Sequence, residues 1–230
     1  MGTEAPRAAG VGSMQWRRLP LLLLGAVALV AGLWSGLVRL GAVPMGPVAQ
    51  MAHGPLMVSG FLGTVIALER AVAALSRWAF LGPLCCGAGT ALLLLGLPGP
   101  GAALLTAGSA VVLAVLVQVT FRAPVLHHGV LALAALAWLG GNTLLALGRP
   151  VFDVVPLWLL FLVGTIAAER LELTRVLPRS TRTVALFVLA LALMVVGALW
   201  VLQARDLGLR LLSAGERRLA AWLLRFDIAR

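Results

Sequence analysis

Three histidines are the only imidazoles in this chain, and their neighbours decide what chemistry they could carry. His53 stands in the run Met51-Ala52-His53-Gly54-Pro55-Leu56-Met57. On a helix, His53 and Met57 lie four apart and share a face. Imidazole with thioether is a donor set suited to haem iron or cuprous copper, and Met51 adds a further soft donor. The plainer reading is an interfacial histidine with methionine as packing filler. His127 and His128 form a second place where a metal or a proton could be held. Cys85 and Cys86 are adjacent in an apolar run without metal-ligand spacing, and read as small packing residues. No Walker loop, GxSxG elbow or HExxH pattern occurs, so hydrolase and ATPase chemistry has no support.

Charged residues supply a second pattern. The stretch from Phe61 to Arg70, FLGTVIALER, aligns without gaps on FLVGTIAAER from Phe161 to Arg170, with six of ten positions identical at an offset of 100 residues. Both end in a Glu-Arg pair. The plain reading is two membrane boundaries, with arginine snorkelling and glutamate solvated. The sharper one is cross-pairing, Glu69 with Arg170 and Glu169 with Arg70, which would lock two halves of the molecule together. Asn142 lies among Gly140, Gly141 and leucine, where an unpaired amide would be costly. It is expected to hydrogen-bond a neighbouring helix through the close approach those glycines allow.

Around His53 the chain resembles the NnrS family of bacterial multi-span membrane proteins, which bind haem and copper and respond to nitrosative stress. That family carries a stretch of the form H-x-H-E-M-x-x-G-F. His53 matches its first histidine, Met57 its methionine, Gly60 its glycine and Phe61 its phenylalanine, while Pro55 and Leu56 replace its second histidine and its glutamate. The resemblance implies a multi-span helical fold with haem b or copper bound at His53 and Met57.

The elements that must position these residues follow from composition. Of 230 residues, 61% are hydrophobic and 11% charged, against about 25% charged in soluble domains. This excludes a soluble globular enzyme and predicts an all-α, polytopic transmembrane bundle of seven or eight spans. Residues 1–18 read as a polar tail and 19–230 as a single transmembrane domain. Spans are expected near 19–40, 50–70, 79–97, 101–121, 126–147, 155–172 and 183–203, separated by proline, glycine and arginine breaks. The segment 207–225 is apolar but carries Arg210, Glu216, Arg217 and Arg218. A charge at a span centre costs about 2.5–3.5 kcal/mol on insertion scales. The segment therefore reads as an interfacial helix or as an eighth span whose charges face protein. The Glu-Arg match favours the second, as a parallel duplication of four spans each, 19–121 and 126–225.

All eighteen basic residues are arginine, against eight acids, and they sit between apolar runs. That distribution argues against nucleic acid as a partner. With the N-terminus in the cytoplasm, ten arginines fall in inner loops and three in outer ones, as the positive-inside rule requires. His53 then opens span two on the outer side, while His127 and His128 open span five on the inner side. One haem cannot bridge them unless spans three and four are a re-entrant pair. The inner rim gathers His127, His128, Gln118, Glu69 and Glu169, a set that could relay protons or bind an ion. Three functions follow as expectations for a bacterial cytoplasmic (inner) membrane protein in contact with lipid. The first is a haem- or copper-binding protein of respiratory or nitrosative chemistry. The others are a structural subunit, with other membrane subunits or a homo-oligomer as partners, and a small-molecule or ion permease.

Overall fold

The computed structural model describes residues 18–43, 52–173 and 181–228. Among them are eight helices and no strand: α1 (Leu19–Arg39), α2 (His53–Ala73), α3 (Arg77–Leu94), α4 (Pro98–Arg122), α5 (Leu126–Ala146), α6 (Val151–Leu173), α7 (Thr181–Trp200) and α8 (Arg205–Ile228). The first seven are long and apolar enough to cross a membrane. The chain is a multi-pass helical membrane bundle. Met51 and residues 1–17 lie outside the described residues.

Helices follow one another up and down, each packed on the next, with α1 also against α3, α2 against α4, and α6 against both α7 and α8. Spans three and four are full antiparallel helices rather than a re-entrant pair. The Pro98-Gly99-Pro100-Gly101 run is the first turn of α4 rather than a loop. Proline is tolerated there because the first turn's N–H groups have no intrahelical partner. At the arginine-poor end, α1, α3 and α5 all stop at a glycine with positive φ: Gly41 (75°), Gly96 (77°) and Gly148 (75°). In each, the glycine N–H and the next N–H reach back to carbonyls of the last helical turn, which satisfies backbone groups that lipid could not.

The helix α1 shows lipid-facing leucine and valine on one side and buries Gly25, Ala28, Gly32 and Ser35 on the other. Those small residues let α2 approach closely. In α2 the α-helical bonding widens to a π-helix over Leu56–Leu62, just after Pro55, and returns to α at Gly63. The core runs through Trp138, Trp158 and Phe161 to Phe187 and Met194, with Trp138 stacked on Phe161 at 4.7 Å between ring centres.

The helix α8 lies antiparallel along the whole of α7. Gly208 meets the backbone of Val201, Gly197 that of Leu212, and Gly215 packs on Met194 and Ala190. Trp222 Nε1 donates to the Thr183 carbonyl at 3.0 Å. The helix α8 therefore shares the level of α7 along its whole length. Its charges do not face protein as expected: Gly208, Leu212, Gly215, Leu219 and Trp222 take the inward face, and Arg210, Arg217 and Arg218 are exposed on the other.

Candidate functional site

Two polar sites draw on α2, one through Ser59 inside its π segment and one at its N-terminal end. The first is a buried node. Ser59 Oγ donates to Asn142 Oδ1 at 2.6 Å, and Trp158 Nε1 donates to the same oxygen at 3.1 Å. Asn142 Nδ2 donates to the Leu105 carbonyl at 3.2 Å, and Trp138 Nε1 to Ser59 Oγ at 3.0 Å. One asparagine thereby ties α5 to α2, α4 and α6. All four side chains are buried, where unpaired polar groups would be expensive. Glycine makes the room: a methyl at Gly141 would stand 2.9 Å from Trp158 Cδ1, and one at Gly63 would overlap Trp138. The expected role of Asn142 is met, but its partners were not legible. Ser59, Trp138 and Trp158 carry no spacing signal, because the node assembles residues 83 and 79 positions apart.

The second site is the seat of His53. Its Nδ1 lies 2.8 Å from the Gly32 carbonyl oxygen. A carbonyl only accepts, so Nδ1 carries the proton and donates. In the neutral ring the other nitrogen, Nε2, then carries the free lone pair. The Nδ1–Cε1 edge of the ring faces Gly36, whose added methyl would stand 3.0 Å from Nδ1, and Met57 Sδ presses on Gly32. Gly32 and Gly36, one turn apart on α1, thus cradle Met57 and His53, one turn apart on α2. Both side chains are half-buried. They share a face, as their spacing requires.

A cavity of about 540 Å³ opens at the same end of the bundle. It is lined by Ala52, just before α2, and Pro55 of α2 with apolar residues of α3 to α6, among them Leu93, Ala102, Leu145 and Val151. Ala52 and Pro55 face away from the His53–Met57 side of α2, so cavity and imidazole occupy opposite flanks of that helix.

The remaining candidates gather at the arginine-rich end. Arg70 pairs with Glu169 across α2 and α6 and lies 3.4 Å from Glu69. Its side chain is 14% exposed against 60% for Glu69 and 40% for Glu169, so the guanidinium is the buried member. Its Nε has no hydrogen-bond partner. Arg70 therefore gathers both carboxylates and ties α2 to α6. His128 Nδ1 donates to the Ala123 carbonyl at 2.8 Å, and its own carbonyl accepts from Thr120 at 3.1 Å. These bonds close the α4–α5 turn. The rings of His127 and His128 stand 4.4 Å apart, edge to face. They open α5 as His53 opens α2, one helix up and one down, so the two places sit at opposite ends of the bundle. Among the described residues, no three His, Cys, Asp or Glu side chains cluster as a metal site would need.

No curated protein and no solved structure matches the chain. One family model does, from Arg18 onward through all eight helices. The chain belongs to the family described as a domain of unknown function (DUF8744), matched over residues 18–230.

Proposed function

We propose that this is a bacterial inner-membrane protein, N-terminus inside, that holds copper or haem b through His53 for respiratory or nitrosative chemistry. The observation that supports it most is the His53–Gly32 bond. Metal-ligating histidines usually donate their other ring N–H to a carbonyl or carboxylate, which fixes tautomer and ring orientation and raises ligand basicity. Here a backbone carbonyl does this at no loss of helix bonding, since Gly32 O keeps a second lone pair.

Copper fits the seat better than haem. The thioether of Met57 lies on the same face as the imidazole, and cuprous ion accepts that soft pair. The 540 Å³ cavity, the obvious housing for a large apolar group, lies on the other flank of α2. A bound cuprous ion would supply one-electron or ligand-binding chemistry. The chain's own contribution is to hold Nε2 in one orientation, to pack Met57 against Gly32 and to exclude lipid with α1.

Metal analysis and a visible spectrum of the purified, detergent-solubilised protein test this reading. Stoichiometric copper, lost in His53→Ala and retained in His128→Ala, is expected. A reducible Soret band lost in the same variant would identify haem instead. A folded, colourless, metal-free protein that takes up no cuprous ion would sink the proposal. The second reading, a subunit of a larger membrane assembly, draws support from the exposed arginines of α8.

A further inference from the structure

We propose that the outward face of α8 is an intramembrane interface that takes an acidic transmembrane helix from outside these eight, with Arg217 at its centre and Arg210 and Arg218 beside it. The argument begins with depth. Gly215 packs between Ala190 and Met194, and Trp222 reaches Thr183. Arg217, two residues beyond Gly215, is therefore level with the middle of α7, the most apolar of the seven spans. At 1.5 Å per residue it lies about 14 Å from either end of that helix.

Direction comes next. Arg210 and Arg217 are seven apart and share one stripe, with Arg218 on its flank, and all three are exposed. None lies within 4.0 Å of a carboxylate of the described residues. Side chains on a helix lean toward its N-terminus. In α8 that carries the Arg217 and Arg218 stems toward the arginine-poor end, away from the nearer, arginine-rich boundary. Snorkelling to headgroups relieves arginines near helix ends, not one at mid-depth leaning this way.

Charge complementarity selects the occupant. Ionisable groups at membrane depth are paired with one another, and three guanidiniums on one face call for a carboxylate at the same level. A second copy of the chain does not supply it. Among the described residues Glu69, Glu169 and Glu172 sit at one rim and Asp153 and Asp206 at the other. Glu216, the mid-depth acid among the described residues, is half-buried on a different side of α8 and already interacts electrostatically with Arg217, which leaves one carboxylate against three guanidiniums. A foreign helix with Asp or Glu near its midpoint satisfies both the charge and the depth. Exposed Leu224 and Ala221 on the same side provide apolar contact around it. The inference is independent of any metal at His53.

The test uses the purified full chain in phosphatidylcholine vesicles with a labelled synthetic leucine-rich transmembrane helix bearing one glutamate at its midpoint. Energy transfer should report association about tenfold tighter than for the same helix with glutamine or lysine, as about 1.4 kcal/mol of interhelical pairing gives. In the variant R217Q/R218Q that preference should vanish. The three peptides are compared on the unaltered chain, so the result does not hinge on the variant folding. Equal association of all three overturns the proposal, as does a glutamate preference that survives R217Q/R218Q. Complete displacement of the peptide by added phosphatidylglycerol would make the face a headgroup site. Chain-to-chain energy transfer abolished by R217Q would make it a self-interface. Either result replaces the proposed partner.

Discussion

The Asn142 node and the arginine stripe of α8 both put polar groups inside an apolar bundle, and they resolve the difficulty in opposite directions. At the node every group turns inward and meets another polar group of the same chain: Ser59, Trp158 and the Leu105 carbonyl converge on one amide, and Trp138 donates to Ser59. On α8 the inward face is given to glycine, leucine and Trp222, and the guanidiniums turn out. The first arrangement makes the fold self-sufficient around α2, α4, α5 and α6. The second leaves the α7–α8 hairpin complete in its packing but not in its charge. Polarity within a span is thus informative by its direction: inward it holds one chain together, outward it points to something else.

The sharpest way to break this contrast is Asn142→Leu. It strips partners from the Ser59 hydroxyl, the Trp158 N–H and the Leu105 carbonyl together. At about 1–3 kcal/mol per orphaned group, partly relieved by repacking, a loss of about 3 kcal/mol is expected. That corresponds to a fall of roughly 10 °C in Tm in detergent. Second comes Gly197→Ala, whose methyl would fall against the Leu212 backbone. It should cost about 1–3 kcal/mol and loosen α8 alone, seen as faster hydrogen exchange in α8 with α4 and α5 unchanged. Third, Arg70→Ala removes the cation shared by Glu69 and Glu169. Both carboxylates reach water, so about 1 kcal/mol is expected, and the loss should shrink in high salt. Smallest of all, Arg217→Leu should leave the melting temperature of the isolated chain nearly unchanged, within about 0.5 kcal/mol. A large destabilisation there would mean that the stripe serves its own fold, and the contrast would fail.

Much of this was legible in the sequence. Every span falls within a few residues of its helix, because the proline and glycine breaks that mark span ends act locally. One exception is instructive: Pro98 reads as a break between spans but forms the first turn of α4, where a missing N–H is tolerated. Asn142 announced itself by type and by its glycine neighbours. Its partners did not, since serine and tryptophan are unremarkable in a membrane helix until another helix brings them together. The cradle of Gly32 and Gly36 was likewise invisible, because glycine is common throughout the chain. The orientation of α8 was misread for a related reason. Its periodicity shows two faces, but which one turns inward is set by glycines that fit α7, not by the arginines.

The π segment of α2 has a consequence for how its two ends are phased. A π bulge adds one residue to an α-helix, and at 3.6 residues per turn one residue is about 100° of rotation. His53 lies before Leu56–Leu62 and Arg70 after it. The bulge therefore works as a fixed angular offset between the α1-facing imidazole above and the α6-facing guanidinium below. A shorter, purely α-helical version of the same span could keep His53 on the Gly32–Gly36 cradle or keep Arg70 against Glu169. It could not do both, so the extra residue is what lets one rod serve two differently oriented neighbours.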